Sequence, residues 1–98
     1  MKISVIMPVY NEEKTLLEIL NKVKNVNIDK EVIIVNDGST DKTKEILEQV
    51  EKHEKNPHVK IFHHEKNQGK GAAIRTGIDK ASGDIILIQD ADLEYDPK

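Results

Sequence analysis

The sequence predicts an α/β fold in which helices cover both faces of a doubly wound parallel sheet, giving three layers. Four apolar runs of four or five residues alternate with stretches whose apolar residues recur at helical spacing. Three of these runs consist mostly of Val, Ile and Leu, which is typical of strands buried on both faces. This alternation of strand and helix implies parallel pairing with right-handed crossovers.

The first half of the chain is expected to form two strand–helix units. A strand at 3–7 leads to a helix that Asn11 caps and that continues to about residue 24, with an inner face of Leu16, Leu17, Leu20 and Val23. A second strand at 31–35 leads to a helix that Thr40 or Asp41 caps, with an inner face of Thr43, Ile46, Leu47 and Val50.

The second half repeats the pattern. A strand at 59–62 precedes a helical stripe formed by Gly71, Ile74, Ile78 and Ala81. Gly83 ends that helix before a strand at 85–88. The third strand alternates apolar Val59 and Ile61 with charged Lys60, which predicts one solvated face and therefore a position at a sheet edge. The strand order 3-2-1-4 places it there.

The length favours one small domain, and the absence of cysteine fits a reducing compartment such as the cytoplasm. The 98 residues carry a formal net charge of −3, which gives no reason to expect nucleic acid or an anionic membrane surface as a partner. The absence of cysteine excludes disulfides and thiolate metal sites. No apolar run approaches the length of a membrane span.

Three polar segments follow strands that the order 3-2-1-4 places side by side. They are PVYNEE after the first strand, NDGSTD after the second and QDADLE after the fourth. Ligands bind at the carboxyl ends of parallel strands where the strand order reverses, which here is between the first and fourth strands. We therefore expect the three segments to line one cleft.

Two of these segments also have simpler explanations. Pro8 can simply end a strand, and NDGSTD fits a turn and helix cap as well as it fits a binding site. Tyr10, one of three aromatic residues, can stack on a base or sugar. Asp37, at the strand tip, can accept a hydrogen bond from a nucleobase ring N–H.

The segment QDADLE predicts a metal site. Asp90 and Asp92 are two residues apart, so in extended chain their carboxylates point to the same side and repel each other. A Mg²⁺ or Mn²⁺ ion relieves this repulsion and often takes one or two carboxylates plus diphosphate oxygens. Because Glu12 and Asp37 make the cleft still more acidic, a bridging metal would allow it to bind a diphosphate. The alternative is a solvated acidic turn.

A glycine-rich loop, KNQGKGAAIRTG at 66–77, opens the third helix. It has neither the P-loop pattern nor the GxGxxG pattern, although Lys70 can reach an anion or a base carbonyl. Helix packing explains its small residues equally well. The histidines are not expected to bind metal, because adjacent His63 and His64 face opposite ways in a strand and the other two lie in a polar stretch.

Together, the segments IMPVYNEE, VNDGSTD, KNQGKGAAIRTGI and GDIILIQDADLEYDP resemble the amino-terminal half of family 2 glycosyltransferases, which have the Rossmann-like GT-A fold. The resemblance is closest to the dolichyl-phosphate mannose synthase and polyprenyl-phosphate glycosyltransferase type. It implies that residues 1–98 form a single donor-binding half-domain for a GDP- or UDP-sugar with Mg²⁺ or Mn²⁺. It also implies inverting transfer to an acceptor such as a polyprenyl phosphate, with the parent protein at the cytoplasmic face of a membrane.

The same resemblance implies site residues. The nucleotide sugar would contact Pro8, Tyr10, Glu12, Asp37, Ser39, Lys70 and Asp90. The metal would be held by Asp90, Asp92 and Glu94, although position 94 is often Gln in the dolichyl-phosphate mannose synthases, which leaves the donor sugar open. In this family the acceptor site and the acidic catalytic base follow the DXD motif, here Asp90–Asp92. No catalytic base is therefore assigned, and we do not expect full turnover from this chain alone.

Two other functions fit parts of the sequence. One is a non-catalytic module that binds nucleotide with metal or serves as a folding unit. The other is a phosphoacceptor receiver-like domain, which requires paired acids directly after the first strand and an acceptor Asp after the third, and the sequence has neither.

The fourth strand also indicates that copies of the chain could associate. Residues 85–88 would form an exposed apolar edge without the charge or proline that protects such edges. We therefore expect self-association, such as a homodimer with a continuous sheet.

Overall fold

A four-stranded parallel sheet forms the centre of the fold. The computed structural model describes residues 2–91 of the chain. Its elements in chain order are β1 (Ile3–Val9), α1 (Leu16–Asn25), β2 (Lys30–Asp37), α2 (Thr43–His53), β3 (Val59–His64), α3 (Lys70–Lys80) and β4 (Ile85–Ile88). The strands pair in parallel in the order β3-β2-β1-β4, which confirms the predicted fold class and strand order.

The larger core lies between the sheet and the first two helices. Side chains of β1 and β2 on this face pack against the buried residues Leu16, Ile19, Leu20 and Val23 of α1 and Leu47 of α2. The predicted inner face of α2 is confirmed, with Ile46 and Val50 packed against the same core. The inner face of α1 differs by one residue, because Ile19 is buried whereas Leu17 is 48% exposed.

The opposite face of the sheet is covered by α3, which is rotated relative to the prediction. Its buried residues are Ala73 and Gly77, whereas Ile78 is largely exposed. A Cβ atom at Gly77 would lie 2.4 Å from Ile6 Cγ2, so the helix backbone approaches β1 very closely. The residues that fit this contact are the smallest in the helix, and hydrophobicity alone therefore indicated the wrong stripe.

The loop after β1 contacts the turn after β2 rather than capping α1. The helix α1 begins at Leu16, and Asn11 lies outside it with a φ of 52°. The Asn11 Oδ1 atom accepts hydrogen bonds from the backbone N–H groups of Thr40, at 2.7 Å, and Asp41, at 3.3 Å. Asp41 in turn accepts the N–H of Thr43, the first residue of α2, at 2.8 Å. These bonds hold the two loops together at the carboxyl end of the sheet.

The amino-terminal end of the sheet contains a fully buried carboxylate. Glu31 Oε2 accepts hydrogen bonds at 2.6 Å from both the Ser4 hydroxyl and the Ser82 N–H. Glu31 Oε1 lies 3.2 Å from the Lys60 ammonium. Burial raises the pKa of Glu31, but the hydrogen bonds from Ser4, Ser82 and Lys60 outweigh it and lower the pKa to about 2. The cluster therefore ties the segment before β4 to the sheet.

β4 pairs only with β1 among residues 2–91 and leaves its outer edge open. All four of its side chains are exposed, by 39–50%. Because its side chains alternate between the two faces of the sheet, neither face of this strand is covered by the described helices. Within the same range, no helix is both long and apolar enough to span a membrane.

Candidate functional site

A cleft of about 580 Å³ opens at the carboxyl end of the sheet. It lies where β1 separates β2 from β4, the position that the reversal of strand order predicts. Six residues that the sequence assigned to nucleotide contact line this cleft: Pro8, Tyr10, Glu12, Asp37, Lys70 and Asp90. Five further lining residues were not assigned: Val9, Asn67, Gly69, Ala73 and Ala91.

The loop between β1 and α1 forms one wall. Tyr10 is 43% exposed, so its ring is accessible to a ligand in the cleft. The Glu12 N–H donates to the Thr43 hydroxyl at 2.9 Å, which fixes the loop against the start of α2. The Thr15 hydroxyl donates to the carbonyl of Ala91, which holds the chain after β4 beside this wall.

The side-chain carboxylate of Asp37, the last residue of β2, accepts four hydrogen bonds within the protein. The residue is 2% exposed. Its Oδ1 atom lies 2.9 Å from His64 Nδ1 and accepts the N–H of Gln68 at 2.9 Å. Its Oδ2 atom accepts the N–H of Gly69 at 2.9 Å and the side-chain amide of Asn67 at 3.1 Å. A carboxylate has about four lone-pair positions, so all of them are used.

These hydrogen bonds also set the charge of Asp37. Burial raises the pKa of its carboxyl, but the hydrogen bonds from His64, Gln68 and Gly69 and the proximity of His64 lower it by more. The net pKa lies below the ordinary value for aspartate. Asp37 is therefore a carboxylate at neutral pH.

The loop before α3 contacts the turn after β2 directly. Gly38 has a φ of +69°, and a Cβ atom there would lie 2.3 Å from the backbone of both Lys66 and Asn67. Only glycine meets both requirements. Together with the Asp37 hydrogen bonds, this contact positions Gly69 and Lys70 as the second wall of the cleft.

His64 contacts Asp37, but the sequence analysis gave it no role in the site. In the parallel register of β2 and β3 it lies beside Asp37. Its Nε2 atom lies 2.8 Å from the Thr76 hydroxyl in α3. His63 faces the other way, with its Nδ1 atom 3.0 Å from the Asn36 side-chain amide. The sequence did contain an indication of this contact, because Asp37 and His64 each end one of two neighbouring parallel strands and are therefore paired in register.

Lys70 and Asp90 form an ion pair across the cleft. The Lys70 ammonium lies 2.6 Å from Asp90 Oδ1, and both side chains are more than half exposed. Lys70 comes from the first turn of α3 and Asp90 from the chain just after β4. The pair therefore joins the two walls, and the cleft contains a basic group directly beside Asp90, the first of the predicted metal ligands.

Of the three predicted metal ligands, Asp90 lies within the described residues. Asp90 offers carboxylate oxygens, the donors that Mg²⁺ and Mn²⁺ prefer, and a metal bound there would compete with the Lys70 ammonium. Within residues 2–91 no three His, Cys, Asp or Glu side chains are close enough together to hold a metal. Asp92 and Glu94, the other predicted ligands, lie outside the described residues.

Ser39 lies beside the cleft without lining it. Its hydroxyl accepts the N–H of Asn11 at 3.0 Å, and its own N–H donates to Asn36 Oδ1 at 3.2 Å. Both bonds stabilise the turn after β2. Contact between Ser39 and a nucleoside stays a prediction.

Residues 4–98 match the profile of Glycosyl transferase family 2. The undecaprenyl-phosphate 4-deoxy-4-formamido-L-arabinose transferase of Pseudomonas savastanoi pv. phaseolicola is 36% identical over 100 residues, which cover 98% of this chain and 29% of that protein. The dolichol-phosphate mannosyltransferase of Pyrococcus furiosus is also 36% identical over 100 residues, covering 100% of this chain and 28% of that protein.

Two solved structures show the same fold. The Pyrobaculum calidifontis mannosyltransferase PcManGT, in complex with GDP-Man and Mn²⁺, gives a TM-score of 0.84 at 28% identity over 92% of this chain and 27% of that chain. S. aureus TarS 1-349, in complex with UDP, gives a TM-score of 0.80 at 34% identity over 94% of this chain and 28% of that chain.

The chain spans less than a third of the length of these relatives. The resemblance to polyprenyl-phosphate sugar transferases and dolichol-phosphate mannosyltransferases is confirmed, and the fold is that of the amino-terminal part of GT-A glycosyltransferases. Because the family match covers nearly the whole sequence and the sheet has the expected strand order, this chain belongs to glycosyl transferase family 2.

Proposed function

We propose that this chain is the donor-binding part of a glycosyltransferase and that its cleft binds a nucleoside-diphosphate sugar with Mg²⁺ or Mn²⁺. One observation carries the proposal. Six residues from four separate segments of the chain, all assigned to nucleotide contact from the sequence, line a single cleft of about 580 Å³. Its volume lies in the range of small-molecule sites.

The side chains suggest how the ligand would lie. Tyr10 offers an exposed ring for stacking on the base or ribose. Asp37 would accept a ring N–H, which both uracil and guanine provide, in exchange for one of its present donors. The structures in complex with UDP and with GDP-Man support each of these donor classes, so the base is open between them.

The charge of the cleft requires a cation for a diphosphate to bind. Three carboxylates, Glu12, Asp37 and Asp90, line it with one ammonium, Lys70. When bound beside Asp90, a divalent ion would neutralise charge on the diphosphate as it leaves the sugar. We assign its protein ligands to Asp90, Asp92 and Glu94. Lys70 would add a second positive charge on the opposite wall.

The acceptor is proposed to be a polyprenyl phosphate, whose phosphate oxygen would attack the anomeric carbon of the sugar and displace the nucleoside diphosphate with inversion. Two relatives at 36% identity are named for undecaprenyl-phosphate and dolichol-phosphate substrates. A lipid acceptor would place the parent enzyme at the cytoplasmic face of a membrane. No residue of this chain is assigned as the catalytic base, so donor binding is the activity that we expect from it.

A nucleotide titration followed by NMR tests the proposal. We expect UDP or GDP to shift the amide signals of Tyr10, Asp37 and Lys70 in the presence of Mg²⁺ and much less without it. The nucleotide that binds more tightly identifies the donor class. A folded chain that shows no shifts with either nucleotide and metal would overturn the proposal.

Asp90→Asn is the variant that tests the metal, and Asp84→Asn is its matched control. Asp84 precedes β4 at the opposite end of the sheet, where its Oδ2 atom accepts the N–H of Lys2 at 3.2 Å. We expect Asp90→Asn to abolish the dependence of nucleotide binding on Mg²⁺, whereas Asp84→Asn retains it. Equal behaviour of the two variants would exclude Asp90 as the metal ligand.

A further inference from the structure

The two oxygens of the Asp37 carboxylate have different surroundings. The two donors to Oδ2, Asn67 and Gly69, both line the cleft. The two donors to Oδ1, His64 and Gln68, do not. Oδ2 is therefore the oxygen on the cleft side, and Oδ1 is the oxygen bound to the scaffold.

The His64 ring connects Oδ1 of Asp37 to α3. Its side chain is 10% exposed and that of Asp37 is 3% exposed, so water competes little for this bond. Because Asp37 is ionised, it can only accept, and His64 Nδ1 must carry the proton. The other ring nitrogen, Nε2, lies 2.8 Å from the Thr76 hydroxyl, which can donate to it when Nε2 carries no proton.

The donors to Oδ2 differ in how easily they can be replaced. The N–H of Gly69 belongs to the backbone of the residue before α3, whose carbonyl accepts the N–H of Ala73, so this donor is held by the helix. The Asn67 amide belongs to the side chain of an exposed residue and can rotate away. A ligand N–H entering from the cleft would therefore replace Asn67.

We propose that His64 is a positioning residue of this cleft and that Asn67 is a removable donor. His64 and Gln68 fix the carboxylate through Oδ1, while Oδ2 exchanges the Asn67 amide for a ring N–H of the ligand base. The inference rests on the proposed function for its ligand. It goes further by assigning roles to two residues that the sequence pattern left without one.

Two conservative substitutions separate the two bonds of the imidazole. His64→Asn places an amide near the position of Nδ1 and can still donate to Asp37. His64→Gln places it near Nε2 and cannot. We expect His64→Asn to bind the nucleotide within about threefold of wild type and His64→Gln to lose about tenfold or more, since hydrogen bonds to charged groups are strong. Equal losses in both variants, or no loss in either, would overturn the role of His64.

Two NMR measurements test the same role without nucleotide. The ¹⁵N signals of His64 should show the Nδ1–H tautomer, and the Gln68 and Gly69 amides should be protected from exchange in wild type and His64→Asn but not in His64→Gln. His63→Gln is the matched control, because its ring lies on the other side of β3, and it should leave both amides unchanged. An Nε2–H tautomer would contradict the inference.

Asn67→Ala tests the removable donor. We expect it to bind nucleotide at least as tightly as wild type, because the ligand no longer displaces an amide. A loss of fivefold or more would show that Asn67 itself contacts the ligand and would overturn this part. If wild type binds neither UDP nor GDP, the proposed function and the exchange at Oδ2 fail, while the tautomer and the protected amides still decide whether His64 positions Asp37.

Discussion

At the scale of single residues, the Lys70–Asp90 ion pair is expected to affect the binding of both a metal ion and a diphosphate. The ammonium lies 2.6 Å from the carboxylate that we assign to the metal, so Lys70 and a cation would compete for Asp90. Both side chains are more than half exposed, which limits the strength of the pair. Once the metal binds, the released ammonium would be available to the diphosphate.

The Lys70→Met variant should therefore have opposite effects on two ligands. Mn²⁺ alone should bind about two- to fivefold more tightly, because an exposed ion pair of this kind contributes up to about 1 kcal/mol. The nucleoside diphosphate with Mn²⁺ should bind more weakly, because a positive charge has been removed from the cleft. Calorimetry with each ligand measures both effects. Weaker binding of Mn²⁺ alone would contradict the competition.

The buried Glu31 makes stability depend on pH. Its pKa falls from 4.5 to about 2 on folding, which corresponds to about 3 kcal/mol of stabilisation at neutral pH. Because the folded pKa is the lower one, this stabilisation is complete above pH 4.5 and is lost as the pH falls towards 2. Glu31→Gln should destabilise the chain by about 2–3 kcal/mol at pH 7 and by about half as much at pH 3.

Urea unfolding at the two pH values measures this effect. Glu18→Gln is the control, because Glu18 is 59% exposed and pairs with Lys22 on the surface of α1. We expect it to change the free energy of unfolding by less than about 0.5 kcal/mol at either pH. A destabilisation by Glu31→Gln that is the same at pH 7 and pH 3 would show that shape rather than charge is responsible.

At the scale of elements, the position of α3 depends on glycine. A Cβ atom at Gly77 would overlap Ile6, whereas one at Gly71 in the same helix would meet nothing within 4 Å. Gly77→Ala should therefore destabilise the chain by about 1–3 kcal/mol through overpacking. Gly71→Ala should be neutral or stabilise it by up to about 1 kcal/mol through helix propensity.

Thermal or urea unfolding of the two variants decides this point. The same substitution in the same helix controls for propensity, so the difference between the two values reports the contact with β1. Similar values for Gly77→Ala and Gly71→Ala would mean that α3 does not approach the sheet as closely as the structure shows.

At the scale of the whole molecule, the open edge of β4 favours self-association. Its four apolar side chains are 39–50% exposed, and its outer edge has no partner strand within residues 2–91. We propose that a second copy pairs there and extends the sheet. Light scattering over a concentration series should show a dimer for wild type and a monomer for Leu87→Lys, which places a charge on the edge. A monomer for wild type at all concentrations would exclude this interface.

The strands and the order of the sheet were predictable because they depend on local pattern. The fourth strand was predicted with the bounds that it has, and the alternation of Val59, Lys60 and Ile61 placed the third strand at the edge. Parallel topology then brings the ends of β1, β2 and β4 together. Five of the seven residues assigned to nucleotide contact line one cleft for this reason, and Lys70 joins them from the start of α3.

Other features were not predictable from pattern. The inner face of α3 follows a close approach to Ile6 that favours Gly77 over Ile78, which hydrophobicity does not indicate. The sequence predicted Asn11 as a helix cap, but its side-chain oxygen accepts a hydrogen bond from the turn after β2, almost thirty residues away. Neither contact leaves a periodic signal.

By itself the sequence determined the fold class, the strand order and the position of the cleft, because these follow from periodicity and from which residues end a strand. Only the tertiary structure decided which groups donate hydrogen bonds to the Asp37 carboxylate. Its four hydrogen bonds come from residues 27–32 positions away, brought beside it by the register of β3 and the return of the chain into α3. A hydrogen bond requires two groups within about 3 Å, and that distance is set by packing rather than by composition.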